Sequence, residues 1–82
     1  MEEYVKKDLD FLTKIYNWLY SPAGCMLQSY ATEGVEGAQE TMNELNLYIK
    51  TIEWFQVNDE FKRAHIEVKR LNTWFRHNIG QL

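Results

Sequence analysis

The stretch FKRAHIEVKRLNTWFRHN, residues 61–78, has a large apolar residue at every seventh position, and two basic residues follow each of them. Further apolar residues lie between these positions at spacings of three and four, which is the pattern of one buried face on an α-helix. The predicted core positions are Phe61, Ala64, Val68, Leu71 and Phe75. We therefore expect a helix from about Asp59 to Asn78, with a basic face opposite the core.

The segment before this helix shows the same spacing of apolar residues. It predicts a helix that begins at Val35 or Glu36 and ends at Gln56. Its predicted core positions are Ala38, Met42, Leu45, Ile49, Ile52 and Gln56. Only the short segment Val57–Asp59 separates this helix from the last one, so the two are expected to form an antiparallel pair.

The N-terminal part of the chain predicts two further helices. The first runs from about Glu2 to Tyr20, and its core positions are Val5, Leu9, Leu12, Tyr16 and Leu19. Ser caps helix starts well and Pro suits the first helical position, so Ser21-Pro22 should begin a short helix over Ala23–Ala31. Residues 32–37 contain two glycines and are expected to form a loop.

The composition favours an all-α fold. The chain has one proline and four glycines, and no segment alternates polar and apolar residues as a strand does. We expect a small antiparallel helical bundle of three main helices plus one short helix, with residues 1–82 forming a single helical domain.

Cysteine usage and hydropathy indicate a cytoplasmic protein. Cys25 is the only cysteine, which excludes an internal disulfide and fits a reducing compartment. No apolar run approaches the ~20 residues of a membrane span. The N-terminal sequence MEEYVKKDLD is charged and does not resemble a signal peptide.

Charge is divided unevenly along the chain, whose net charge is −3. Residues 21–60 contain one Lys and seven acids, a net of −6, whereas residues 61–82 contain five Lys or Arg and one Glu, a net of +4. The basic residues of the last helix can form a solvated face, or they can bind an anionic partner. They can also pair with acids of the preceding helix, in the register Glu53–Arg63, Glu44–Arg70 and Glu40–Arg76.

The last two helices carry more apolar side chains than their core faces need. Leu47 and Trp54 are expected opposite the core face of their helix, Ile66 in the middle of the basic face, and Trp74 at the edge of that face. Exposed aromatic and aliphatic residues of this kind mark interfaces. We expect a homodimer that also binds a protein partner. The expected binding residues are Leu47, Trp54, Ile66, Trp74, Lys62, Arg63, Lys69, Arg70 and Arg76.

Other residues offer weaker sites. The helix start at Ser21, Ala23 and Gly24 could hold an anion on its backbone N–H groups, although an ordinary capped helix start is the favoured interpretation. The acids at residues 33, 36, 40 and 44 have the spacing of a magnesium site, but the second acidic pair that such a site needs is missing. A solvated helix face is the simpler interpretation of these acids.

The residues most able to carry chemistry do not form a recognisable set. His65 and His77 lie twelve residues apart with no third ligand at metal spacing. Cys25 lacks an evident His partner and is expected to be a small buried side chain. Asp8 falls within the apolar face of the first helix, where it is expected to be structural or exposed. We expect no metal, no cofactor and no enzymatic activity.

These observations favour a non-enzymatic binding or regulatory protein. The expected form is a small homo-oligomeric inhibitor or adaptor that occludes a protein partner, and its size and two-sided charge are typical of phage or mobile-element anti-defence proteins. Two alternatives remain open. One is sequestration of a nucleotide-type ligand in an oligomer, and the other is a small nucleic-acid-binding regulator that uses the basic last helix. No membrane association is expected.

Overall fold

The computed structural model describes residues 2–82 and contains four α-helices and no strand within that range. They are α1 Glu3–Leu19, α2 Pro22–Thr32, α3 Glu36–Val57 and α4 Phe61–Asn78. The all-α prediction is confirmed. None of the four helices is long and apolar enough to cross a membrane.

Tight chain reversals follow α2 and α3. After α2 the backbone of Gly34 is left-handed (φ 86°), and the N–H of Val35 donates to the carbonyl of Tyr30. After α3 the same motif recurs with Asp59 left-handed (φ 59°), and the N–H of Glu60 donates to the carbonyl of Phe55. This hydrogen bond closes the helix end in a Schellman motif. Asp59 therefore belongs to the turn, and the expectation that α4 begins there is wrong by two residues.

The core is built around α3, which packs against α2 and α4, while α1 packs against α2 and α4. The buried residues of the core come from α1, α3 and α4. They are Leu12, Ile15, Met42, Leu45, Ile49, Ile52, Ala64, Val68, Leu71 and Phe75. Five predicted core residues are less buried than expected. Leu9 is exposed, and the other four are only half-buried: Tyr16, Leu19, Gln56 and Phe61.

The crossing of α1 and α2 depends on a glycine. Ser21 caps α2 by accepting a hydrogen bond from the N–H of Gly24, and Pro22 occupies the first turn. Gly24 is the only buried residue of α2. A Cβ at this position would overlap the carbonyl oxygen of Trp18 and lie 2.7 Å from Cα of Leu19. The backbone of α1 leaves no space for a side chain there.

We predict that Gly24→Ala destabilises the protein by about 1–3 kcal/mol, because the atoms that a methyl group would meet belong to the backbone and cannot rotate away. The free energy of unfolding in urea measures this effect.

Gly37→Ala is the matched control, since Gly37 lies in the first turn of α3 with nothing within 4 Å of an added Cβ. Ala is the better helix former, so this variant should gain up to about 1 kcal/mol. Equal effects of the two substitutions would contradict the close approach of α1 and α2.

Candidate functional site

The outer side of α3 carries two large apolar side chains in one line. Leu47 is 67% exposed and Trp54 is 60% exposed. They are seven residues apart, so they lie on the same side of the helix, about 10 Å from each other along its axis. The side chains of Leu45 and Ile52, on the opposite side of α3, are fully buried. Both positions agree with the sequence prediction.

Ile66 and Trp74 on α4 have different surroundings. Ile66 is 52% exposed, as expected from its position among the basic residues. Trp74 is half-buried instead, with its ring 5.7 Å from that of Tyr48 and its indole N–H donated to Glu44 at 2.5 Å. This agrees with its expected position at the edge of the basic face, but the ring packs towards α3 rather than outward.

The five basic residues expected to bind a partner are all exposed. Arg63 pairs with Glu60 at 3.4 Å, and Arg70 pairs with Glu67 at 2.9 Å, so both pairs are local to α4. The other three have no carboxylate within 4.0 Å among residues 2–82. They are Lys62, Lys69 and Arg76. Since they are seven residues apart, they form one row of unpaired positive charge along α4.

Salt bridges across the α3–α4 pair do not form in the described residues. Two of the three acids expected to form them have other partners. Glu44 accepts the indole N–H of Trp74, and Glu53 accepts the hydroxyl of Tyr16 on α1. The carboxylate of Glu53 thus faces α1 rather than Arg63. This leaves the positive charge of α4 available to solvent or to a partner.

The contact between Tyr16 and Glu53 joins α1 to α3. Burial of the phenol, the hydrogen bond to the Glu53 carboxylate and the negative charge of that carboxylate together raise the pKa of Tyr16 to about 12. Burial and the Glu53 carboxylate therefore both stabilise the protonated phenol in the folded protein.

The contact between Asp8 and His65 was not foreseen from the sequence. Asp8 is only 4% exposed, and both of its carboxylate oxygens lie 3.0–3.1 Å from Nδ1 of His65. The ring of Tyr4 lies 5.1 Å from the imidazole. The signal was present, because an acid on an apolar helix face needs a partner and both histidines of the chain lie on the last helix. The pair holds α1 against α4.

The structure supplies no further ligand for a metal at this pair. Within residues 2–82 no three His, Cys, Asp or Glu side chains form a group that could hold an ion. Cys25 is exposed, so the expectation of a buried thiol is wrong. Its Sγ lies 3.7–3.8 Å from the carbonyl oxygens of Leu19 and Tyr20, where α1 ends.

The helix start proposed as an anion site is largely occupied by local hydrogen bonds. The N–H of Gly24 donates to Oγ of Ser21, and the N–H of Cys25 donates to the Ser21 carbonyl. Gly24 is buried against α1. Ala23 is exposed and is the remaining residue of the predicted site. Anion binding here stays a prediction, with fewer free donors than the sequence implied.

Comparison of the chain with protein-family models, with curated proteins and with solved structures finds no match. The exposed surfaces of α3 and α4 are therefore the features from which a function can be inferred.

We predict that the free energy of unfolding falls as the pH rises from 10 to 12, in part because of Tyr16. Its pKa is raised from 10.0 in the unfolded chain to about 12 in the folded protein. A raised pKa contributes stability that is fully present below pH 10 and is lost as the pH passes through 12. Urea unfolding across this range measures the loss.

Tyr16→Phe should show a smaller fall over the same range, since it lacks the hydroxyl. Tyr20→Phe is the matched control, because Tyr20 is exposed and its removal should leave the fall unchanged. Identical pH profiles for Tyr16→Phe and the wild type would exclude a contribution from the Tyr16–Glu53 contact.

Proposed function

We propose that the protein is a non-enzymatic binding and regulatory protein that self-associates through α3 and occludes an acidic protein partner through α4. The observation that carries this proposal is the exposure of Leu47 and Trp54 in one line on the outer side of α3. Contiguous apolar side chains on a protein surface mark an interface. Trp is also enriched among the residues that dominate binding energy.

Helix α2 does not cover the exposed line of Leu47 and Trp54. Leu27 and Ala31 of α2 pack against the core on the side of α3 that includes Met42. Leu47 and Trp54 lie on the opposite side and keep most of their surface in water. Burial of apolar surface contributes roughly 25 cal/mol per Å². A second copy that covers both side chains would therefore gain free energy that the single chain leaves unused.

The distribution of charge supports self-association through α3 and partner binding through α4. In a two-fold dimer the same surface of both copies meets, so a row of charges in the contact would lie against the same row of the other copy. The row Lys62, Lys69 and Arg76 would repel itself in such a contact. The α3 line is uncharged at Leu47 and Trp54 and suits self-association, whereas the row on α4 suits an acidic partner and would speed its approach.

The proposal includes further features expected from the sequence. The two tight reversals at Gly34 and Asp59 support an antiparallel bundle with three main helices. We propose a cytoplasmic location on the basis of the single cysteine. The binding role requires neither a metal nor a cofactor. A small inhibitor of the phage or mobile-element type has the size and charge division seen here.

We predict that the melting temperature of the wild type rises with protein concentration, because association stabilises the folded chain by mass action. In Leu47→Ser/Trp54→Ser this dependence should disappear. The control is Met26→Ser, which removes an apolar side chain of α2 that is 56% exposed and should keep the dependence. A wild-type melting temperature that does not change with concentration would contradict self-association.

The partner surface is tested separately by capture from cell extract. A protein bound by the wild type should be lost with Lys69→Glu/Arg76→Glu. It should be retained with Lys6→Glu/Lys14→Glu, which reverses two exposed charges on α1. Equal loss in both variants would show that net charge, rather than the row on α4, determines binding.

A further inference from the structure

A surface cavity of about 520 Å³ lies between α3 and the C-terminal half of α4. Its volume is within the range of cavities that bind small ligands. The lining residues are Tyr48, Lys69, Arg70, Thr73, Trp74, His77 and Asn78. It is separate from the exposed line of Leu47 and Trp54, neither of which lines it.

Two of the residues that line this cavity, Lys69 and Arg70, are cations. Arg70 is already paired with Glu67 at 2.9 Å, so Lys69 is the cation that an anion would engage. No carboxylate lines the cavity, whereas Glu44 and Glu67 both line the neighbouring groove nearer the α3–α4 turn. Lys69 has no acidic partner within 4.0 Å in residues 2–82. The cavity therefore favours an anion.

An aromatic wall is held in place beside these cations. Trp74 donates its indole N–H to Glu44 and packs against the ring of Tyr48. These contacts fix the indole before any ligand arrives, which lowers the entropy cost of binding. Stacking of a nucleic-acid base on such a ring gains free energy whichever base it is.

One hydroxyl at the cavity lacks a partner. The other four threonines each donate to the carbonyl four residues earlier on their helix. Thr73 makes no side-chain hydrogen bond to residues 2–82, although it lies in the middle of α4. At the edge of the cavity, Asn78 is held by a 2.9 Å hydrogen bond to the carbonyl of Trp74. Thr73 is free to donate to a ligand.

We propose that this cavity binds one nucleotide unit, with the base against Trp74 and the phosphate on Lys69. The hydroxyl of Thr73 would donate to a phosphate or sugar oxygen. A free mononucleotide and one residue of a single strand share this chemistry. An acidic peptide would engage the cations but would leave the aromatic wall unused, so the cavity favours the nucleotide. This site does not depend on self-association through α3.

The test is titration of the isotope-labelled protein, followed by the amide and indole signals in nuclear magnetic resonance spectra. The chain has three Trp indoles, and only that of Trp74 lines the cavity. The probes are adenosine monophosphate, a short oligothymidylate, inorganic phosphate and a polyglutamate peptide. We expect saturable shifts of the Trp74 indole and the α4 amides near Thr73 with at least one of the first two probes.

Two variants locate the site. Lys69→Ala should weaken binding roughly tenfold, as the loss of a charge-assisted hydrogen bond does. Lys62→Ala is the matched control, since it removes an exposed, unpaired cation one heptad away and should leave the affinity unchanged. Both residues are exposed, so neither change should affect folding.

The two nucleotide probes distinguish a free nucleotide from a single-stranded nucleic acid as the ligand. Binding of the mononucleotide indicates a free nucleotide, and binding of the oligothymidylate alone indicates a single strand. Equal affinity for inorganic phosphate or for polyglutamate would overturn the proposal, since neither can stack on Trp74. Absence of saturable shifts with both nucleotide probes would also overturn it.

Discussion

The structure depends on how α3 divides its apolar side chains between two opposite sides. Leu45 and Ile52 face inward and are fully buried, and the helices that meet there determine the rest of the arrangement. Because α2 and α4 occupy the inward side and its flanks, nothing within residues 2–82 is left to cover the outer line. Leu47 and Trp54 are exposed as a direct consequence. The same helix thus organises the core and supplies the surface proposed for self-association.

A few polar contacts determine which charges remain available. Glu44 and Glu53 are used by Trp74 and Tyr16, so they do not neutralise the positive charge of α4. The Asp8 carboxylate is used by His65 in the same way. The acids of α3 therefore stay apart from the row of Lys62, Lys69 and Arg76 on α4, whereas Arg63 and Arg70 pair with Glu60 and Glu67. The separation gives an acidic chain a strongly basic helix surface, which its net charge conceals.

The sequence predicted the parts that depend on local periodicity. Spacing identified α1, α3 and α4 and their inward faces, and it placed Leu47, Trp54 and Ile66 on the surface. The capping signal at Ser21-Pro22 identified α2. It failed where a residue lies at the boundary between two helix faces. Trp74 and Glu53 are such residues, because a small rotation of the helix decides whether they meet a neighbour or solvent. The Asp8–His65 pair joins residues 57 positions apart, and periodicity within one helix carries no information about such a contact.

The most direct test of the account is the solution mass of the wild-type protein, measured by light scattering at low and at high ionic strength. Salt screens charged contacts and leaves apolar ones intact. We therefore predict a mass of at least two chains at both ionic strengths, because Leu47 and Trp54 make the contact. The mass of a single chain at both would contradict self-association. Dissociation at high ionic strength would contradict the role of α3 and place the basic row of α4 in the contact.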